Sequence, residues 1–267
     1  MNKPLFLPVD PVMPPAPYMG GKRRLAARII EQLRAIPHEC YVEPFVGMGG
    51  VFLRRPYRVK AEVINDVSRD VATLLRVLQR HFVPFMDMLK WQLTSRAEFE
   101  RLRAAEADTL TDLERAARFL YLQRTAFGGK VTGRNFGVSP STSARFDVVK
   151  LASMLEEIHE RLAGVVIECL PFGRLIDTYD RPSTLFYLDP PYWDCETDYG
   201  DGVFGKADFE AMAAQLRRIN GRFLLSLNDR PQVREIFAGF QIEQVKTVYS
   251  LNGRAQSGVS EVLISGP

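Results

Sequence analysis

Cysteine and histidine are scarce in this chain and long apolar runs are missing, and each shortage narrows what the protein can be. The three cysteines, Cys40, Cys169 and Cys195, are odd in number and show no Cys-x-x-Cys spacing, which argues against a disulfide framework or a structural zinc site. Cys40 and Cys169 lie in apolar, strand-like runs and read as core thiols. The three histidines, His38, His81 and His159, share no metal-ligand pattern and read as surface or interface residues; no metal is expected. No apolar stretch nears the ~20 residues that span a bilayer. The N-terminus has no basic region followed by an apolar core, so no secretory signal is expected. A reducing cytoplasm is the default compartment. Also missing are the glycine spacing of a dinucleotide fingerprint and a phosphate loop ending in Gly-Lys-Ser/Thr, which disfavours a nicotinamide oxidoreductase.

What remains is an ordinary globular composition. The 267 residues are 46% hydrophobic and 25% charged, enough for one large domain or one domain with an insertion. A net charge of +3 says little about partners, but its distribution says more. Residues 120–150 hold Arg124, Lys130, Arg134, Arg145 and Lys150 against Asp147 alone, whereas 194–205 holds four acids and no base. Six prolines among the first 17 residues read as an extended arm.

Periodicity divides the chain into three parts. Residues 18–67 read as a Gly-Gly-Lys turn opening a helix near 22–35, a strand near 40–44, a glycine loop and a strand at 61–65. Residues 165–267 alternate again: strands at 165–170, 185–188, 223–227, 242–249 and 259–264, with helices at 207–219 and 233–238. Such alternation implies a largely parallel α/β sheet with helices on both faces. The middle, about 68–163, is helical almost throughout and is read as an insertion with a glycine-rich basic loop at its tip.

The chemistry concentrates at a few points. Asp189-Pro190-Pro191-Tyr192 follows an apolar strand, at the carboxyl end where open α/β sheets bind ligands. With proline at about 5% usage, this tetrapeptide arises by chance in roughly one chain in a thousand of this size. It suits group transfer to a flat, weakly nucleophilic amine such as that of adenine. Asp189 and the Pro190 carbonyl can accept the two N–H bonds, stabilising charge that develops only in the transition state. Tyr192 offers a stacking face, and Trp193 a second aromatic. A proline turn capped by an Asp is the plain alternative.

Glu43-Pro44-Phe45-Val46-Gly47-Met48-Gly49-Gly50 runs from a strand into a glycine loop. It suits a cofactor without phosphates, such as S-adenosylmethionine, or a plain tight turn. Asp66, ending the next strand, could accept ribose hydroxyls or cap the following helix. Tyr18-Met19-Gly20-Gly21-Lys22 could bind a carboxylate at a helix start, or be a glycine turn with a solvated lysine. In the basic loop, Arg124, Lys130 and Arg134 could meet DNA phosphates or guanine, and Asn135 could read adenine; a solvated loop is the alternative. The acidic segment 194–205 reads as a mobile lid anchored by Tyr199 and Phe204.

In order, these motifs resemble those of the Dam-type DNA adenine methyltransferases, over nearly the whole chain after the proline arm. The segments concerned are 18–22, 43–52, Asn65-Asp66, Tyr121-Leu122-Gln123-Arg124-Thr125, 189–192, 223–229 and 261–265. The resemblance implies a Rossmann-like methyltransferase sheet with a helical target-recognition insertion. The S-adenosylmethionine domain is then 1–67 with 165–267, including the arm at 1–17, and the DNA-recognition domain is 68–164, with its basic loop at 127–145. It implies site-specific methyl transfer from S-adenosylmethionine to N6 of a flipped adenine in double-stranded DNA, leaving S-adenosylhomocysteine. Asp189, Pro190 and Tyr192 would be catalytic. Tyr18, Gly21, Lys22, Glu43, Pro44, Phe45, Gly47, Gly49, Gly50, Asp66 and Asp189 would hold the cofactor. A monomer, or a dimer on DNA, from a bacterium or bacteriophage is expected. The stretch 128–135 departs from the GATC-methylating style, so the target site does not carry over. A protein glutamine methyltransferase and an inactive DNA-binding relative are the rival readings; the former carries Asn-Pro-Pro-Tyr where this chain has Asp189.

Overall fold

A computed structural model describes residues 5–137, 144–200, 202–247, 250–251, 254–255 and 259–266. Residues 138–143 of the basic loop, Asp201 of the acidic segment and the last two residues of the strand read at 242–249 lie outside that set.

The chain begins with β1 (Leu7–Pro8), α1 (Ala26–Ala35), β2 (Cys40–Glu43), β3 (Tyr57–Arg58) and β4 (Ala61–Asn65). A run of helices follows: α2 (Arg69–Arg80), α3 (Phe82–Leu89), α4 (Arg96–Ala104), α5 (Asp112–Thr125) and α6 (Val148–Arg161). It returns through β5 (Val166–Glu168), α7 (Phe172–Tyr179), β6 (Thr184–Leu188), α8 (Lys206–Leu216), β7 (Arg222–Asn228) and α9 (Pro231–Ile236). It ends with β8 (Gln241–Thr247), a small hairpin of β9 (Ser250–Leu251) and β10 (Arg254–Ala255), and β11 (Val259–Gly266).

Seven strands form one sheet in the order β5-β4-β2-β6-β7-β11-β8. Pairing is parallel from β5 to β7, and β11 runs antiparallel to both its neighbours. The chain starts the sheet at β2, builds outward through β4 to β5, then crosses back to place β6 on the other side of β2. That reversal leaves a crevice at the carboxyl ends of β2 and β6, the position where open α/β sheets take ligands. Topology therefore brings the loop after Glu43 beside Asp189, 146 positions away by residue number. This is the largely parallel α/β sheet with helices on both faces expected of the sequence.

Strand alternation sorts side chains between two cores. Tyr41, Leu185, Tyr187, Leu224 and Leu263 face one core, shared with α1 and with α2 to α6. Val42, Phe186, Leu188, Phe223, Leu225 and Ile264 face the other, under α7, α8 and α9. Helix α2 buries Val71, Leu74, Leu75 and Leu78, the i, i+3, i+4, i+7 stripe read from the sequence. Helix α5 starts on a reciprocal capping box, in which Thr111 and Glu114 satisfy each other's backbone N–H. Deep under β4, Glu62 binds Arg55 and, through both carboxylate oxygens, Arg161 of α6, with contacts of 2.7 and 3.0 Å to the latter.

Some expectations are corrected. Helix α1 begins at Ala26 and not at Lys22, because 22–25 form a turn whose Lys22 carbonyl accepts from Ala26 N–H. His38 is buried, its Nδ1 2.6 Å from the Ile36 carbonyl and its ring against Phe6. Cys169 is exposed, since β5 is an edge strand that ends before it. Helix α7 was missed because its eight residues follow a strand-like run without an N-cap side chain. The proline arm is extended but pinned: β1 pairs with β3, and the carbonyls of Pro15 and Pro17 accept from Arg124 and Gln123 of α5. Among the described residues, no helix is long and apolar enough to cross a membrane, and no cluster of His, Cys, Asp or Glu is placed to hold a metal ion.

Candidate active site

Strand β6 is buried along its whole length and delivers Asp189 at its end. The Asp189 carboxylate meets two groups from distant segments. Lys22 Nζ lies 2.7 Å from Oδ1, and Ser226 of β7 donates to the same oxygen at 2.9 Å. Ser226 is 3.0 Å from the Tyr187 hydroxyl. Burial pushes the Asp189 carboxyl above the usual range, and Lys22 and Ser226 oppose that shift. The exit of the Asp-Pro-Pro-Tyr turn is locked to β7: Asn228 accepts from Trp193 N–H and donates to Trp193 C=O, both at 2.9 Å. Trp193 is buried against Phe209, so it belongs to the core and not to a stacking platform. Tyr192 donates its hydroxyl to buried Glu261 of β11 and accepts from Lys22 at 2.7 Å.

The glycine loop is shaped by its neighbours. Gly47 has φ +50°, and a Cβ there would come within 2.9 Å of the Tyr18 ring. Gly49 has φ +75°, in the left-handed region that costs other residues free energy. The Gly47 N–H donates to Asp66 Oδ2, and Ser68 N–H donates to Asp66 Oδ1, both at 2.9 Å. Helix α2 begins only after Ser68, so Asp66 closes a turn before the helix instead of capping it. Burial pushes the Asp66 carboxyl up to about 6 against those two hydrogen bonds. Glu43 accepts from the Tyr41 hydroxyl at 2.7 Å, and burial pushes it up to about 8. Asn65, quoted in the sequence only as the neighbour of Asp66, has a role of its own. Its side chain bonds the Pro44 carbonyl and both the N–H and C=O of Leu170, tying the ends of β2, β4 and β5 together.

These elements enclose a cavity of about 880 Å³, within the range of small-molecule sites. Its walls include Tyr18, Gly21, Lys22, Glu43, Pro44, Phe45, Gly47, Gly50, Asp66 and Asp189. Gly49, Pro190 and Tyr192 are not among the lining residues: Pro190 is buried and Tyr192 half-buried beside Asp189. Phe172 and Phe204 add an aromatic wall with Phe45, at ring separations of 5.6 and 6.0 Å. Phe172 follows Leu170-Pro171 at the end of β5, a strand-to-proline turn that was the available signal for it. The acidic segment crosses the same cavity, with Val203 in its wall and the Tyr199 hydroxyl on the Met19 carbonyl at 3.0 Å.

The basic loop divides. Arg124 also lines the cavity and donates to the carbonyls of Pro15 and Arg145. Arg134 turns inward to Gln123 and the Lys130 carbonyl. Lys130 and Asn135 are exposed. Arg134 and Asn135 share a smaller cleft with Arg103 and Arg118.

Residues 18–251 match the model of the D12 class N6 adenine-specific DNA methyltransferases. The chain belongs to that family. The D12 methyltransferase is 24% identical to the Type II methyltransferase M.CviBI of Paramecium bursaria Chlorella virus NC1A, over 84% of this chain and 85% of that protein. It is 26% identical to the DNA adenine methylase of Haemophilus influenzae, over 91% and 88% of the two chains. Identity to the Type II methyltransferase M1.LlaDCHI of Lactococcus lactis is 22%, covering 93% of each.

Proposed function

We propose that this D12 methyltransferase carries out its family's N6-adenine methylation of DNA in the cavity between the ends of β2 and β6. The observation that carries this reading is the meeting of the glycine loop, Asp66 and Asp189 around one space. The donor set suits S-adenosylmethionine. Asp66 offers acceptor positions for ribose hydroxyls, Phe45 and Phe172 an apolar wall, and the loop needs no phosphate-binding lysine. When bound, S-adenosylmethionine supplies a methyl group already activated as a sulfonium.

The chain's own residues position the amine. Asp189 and the Pro190 carbonyl accept the two N6–H bonds, which favours return of the ring-delocalised lone pair to nitrogen. Tyr192 holds the base plane, its hydroxyl fixed by Glu261. Alignment of the amine with the methyl supplies much of the rate. Reaching the amine requires a flipped adenine, at an unstacking cost of a few kcal/mol. The helical segment with exposed Lys130 and Asn135, and the cleft of Arg103, Arg118 and Arg134, face the duplex in this reading. Relatives from bacteria and viruses support a cytoplasmic site of action.

The test is methyl transfer from labelled S-adenosylmethionine to unmethylated genomic DNA, with modified bases mapped by single-molecule sequencing. N6-methyladenine in one short sequence is expected. Asp189→Ala is expected to lower transfer by at least ~10²-fold while retaining cofactor binding; full activity in that variant overturns the assignment.

A further inference from the structure

Two arginines in the cavity wall have no part in the chemistry described so far. Arg23 and Arg54 line the cavity, as do Met13 and Pro14 of the proline arm. The arm is fixed along the segment that carries Arg54: Val12 N–H donates to the Leu53 carbonyl at 2.8 Å, and Val9 N–H to the Pro56 carbonyl at 3.3 Å. Arg54 folds back over its own turn, and its Nη1 donates to the Gly50 carbonyl at 2.6 Å. Gly50 has no side chain to cover that nitrogen, although a Cβ there would lie only 3.8 Å from it. Arg54 is half-buried and Arg23 is exposed.

Neither arginine pairs with a carboxylate among the described residues. The cavity wall holds three acids, and each is engaged elsewhere. Tyr41 binds Glu43, the amides of Gly47 and Ser68 bind Asp66, and Lys22 and Ser226 bind Asp189. Arg54 sits instead in the field of Arg23. Burial, and after it the charge of Arg23, hold its guanidinium below the ordinary range. Two cations held close without a counter-ion repel each other, and an anion between them relieves the repulsion and gains charge-assisted hydrogen bonds.

Charge decides which anion. S-adenosylmethionine brings one carboxylate, but its ammonium balances that group and its sulfonium adds a further positive charge. Two arginines therefore oppose as much of the cofactor as they attract. A phosphodiester has no such balance. Arg124 of α5 and Val131 of the basic loop line the same cavity, so a strand that enters it meets the helical segment and the arginine pair together. The pair also lies near the reacting end: a Cβ on Gly50 would lie 3.5 Å from the Lys22 amide nitrogen, and Lys22 Nζ is 2.7 Å from Asp189. A flipped base carries its own backbone to the rim of the pocket that receives it.

We infer that Arg23 and Arg54 form an anion subsite that clasps a DNA backbone phosphate beside the flipped adenine. This rests on the function proposed above and adds a DNA contact outside the helical segment. Arg54 has five N–H donors and spends one on Gly50, which leaves the fork that suits two phosphate oxygens. A contact of this kind holds the strand in place and carries no sequence information.

The experiment measures DNA affinity of the full chain by fluorescence anisotropy over a series of salt concentrations. S-adenosylhomocysteine is present so that no methyl is transferred, and cofactor affinity is measured separately. The double variant Arg23→Gln with Arg54→Gln is expected to bind about tenfold more weakly to duplexes with and without the methylated sequence, and to show a salt slope smaller by about one. Its cofactor affinity is expected to stay at the wild-type value or tighten. Arg54→Lys keeps the charge, so its slope stays at the wild-type value while affinity falls. Arg23→Gln alone changes an exposed residue and serves should the double variant fail to fold; weaker binding to both duplexes by about threefold is expected. Unchanged DNA affinity and slope in these Gln variants overturns the inference. Lost cofactor affinity with DNA binding intact assigns the pair to the cofactor's carboxylate and overturns it as well. Wild-type enzyme that binds cofactor but no DNA overturns the proposed function, and this subsite with it.

Discussion

Glu43 shows how one side chain can report on ligand binding. It is buried, bonded to the Tyr41 hydroxyl, and raised to about 8 by desolvation, so it is protonated at pH 7 in the free enzyme. S-adenosylmethionine is cationic at its sulfonium and ammonium, and positive charge near a carboxyl favours its ionised form. Binding is therefore expected to release protons at pH 7, with Asp66, raised to about 6, adding a smaller share. Calorimetry of cofactor binding in two buffers of different ionisation enthalpy measures this directly. Glu43→Gln should lose most of the release; an unchanged proton count in that variant contradicts the account.

At the scale of elements, α5 links the halves of the site. Its C-terminal end carries Gln123 and Arg124, which hold the carbonyls of Pro17 and Pro15 in the arm. Gln123 also donates to the Gly129 carbonyl and thereby shapes the loop that follows. Its N-terminal end depends on the Thr111–Glu114 capping box. Thr111→Ala should cost about 1 kcal/mol of stability, seen as a lower denaturation midpoint with an unchanged slope. Cofactor affinity should persist, because the cap lies at the far end of a 14-residue helix from Arg124. Loss of cofactor binding in that variant would mean that α5 transmits strain along its length.

At the scale of the whole molecule, pH-dependent stability sums opposing groups. Buried His38 is lowered to about 4 by desolvation. Its Nε2 has no partner among the described residues, so a proton there would be a buried, unsatisfied donor. Between pH 6.5 and 4 the unfolded chain binds that proton and the folded chain does not, so this group's contribution falls as pH falls. Asp66 and Glu43, raised in the fold, act in the opposite sense: the fold favours their protons, and their contributions fall as pH rises, from about 3.8 to 6 and from about 4.5 to 8 respectively. Comparison with His38→Phe isolates the histidine. Wild type should lose up to roughly 3 kcal/mol more than the variant on going from pH 7 to pH 4. Parallel denaturation profiles across that range would show that His38 titrates normally.

Much was legible along the chain because local physics wrote it there. The strand ending at Asp189, the strand ending at Asn65 and the stripe of α2 follow from alternation and helical period, which burial imposes on any sequence that keeps one face dry. Glycines at 47 and 49 marked a loop that needs positive φ at both positions. Other features were set only when distant segments met. No local signal separates Lys22 from a solvated lysine; its role depends on Asp189, Tyr192 and the turn around it, brought together by the crossover that sets β6 beside β2. His38 and Cys169 were misread for the same reason: polarity suggested an exposed histidine and an apolar run suggested a buried thiol. Burial, however, is fixed by which element lies on top, and the proline arm covers His38 while edge strand β5 leaves Cys169 open. Sequence alone determined the elements and the chemical groups at their ends. The tertiary structure decided which charges pair and which oxygen of Asp189 they share, because pairing depends on distances that only the packed sheet sets.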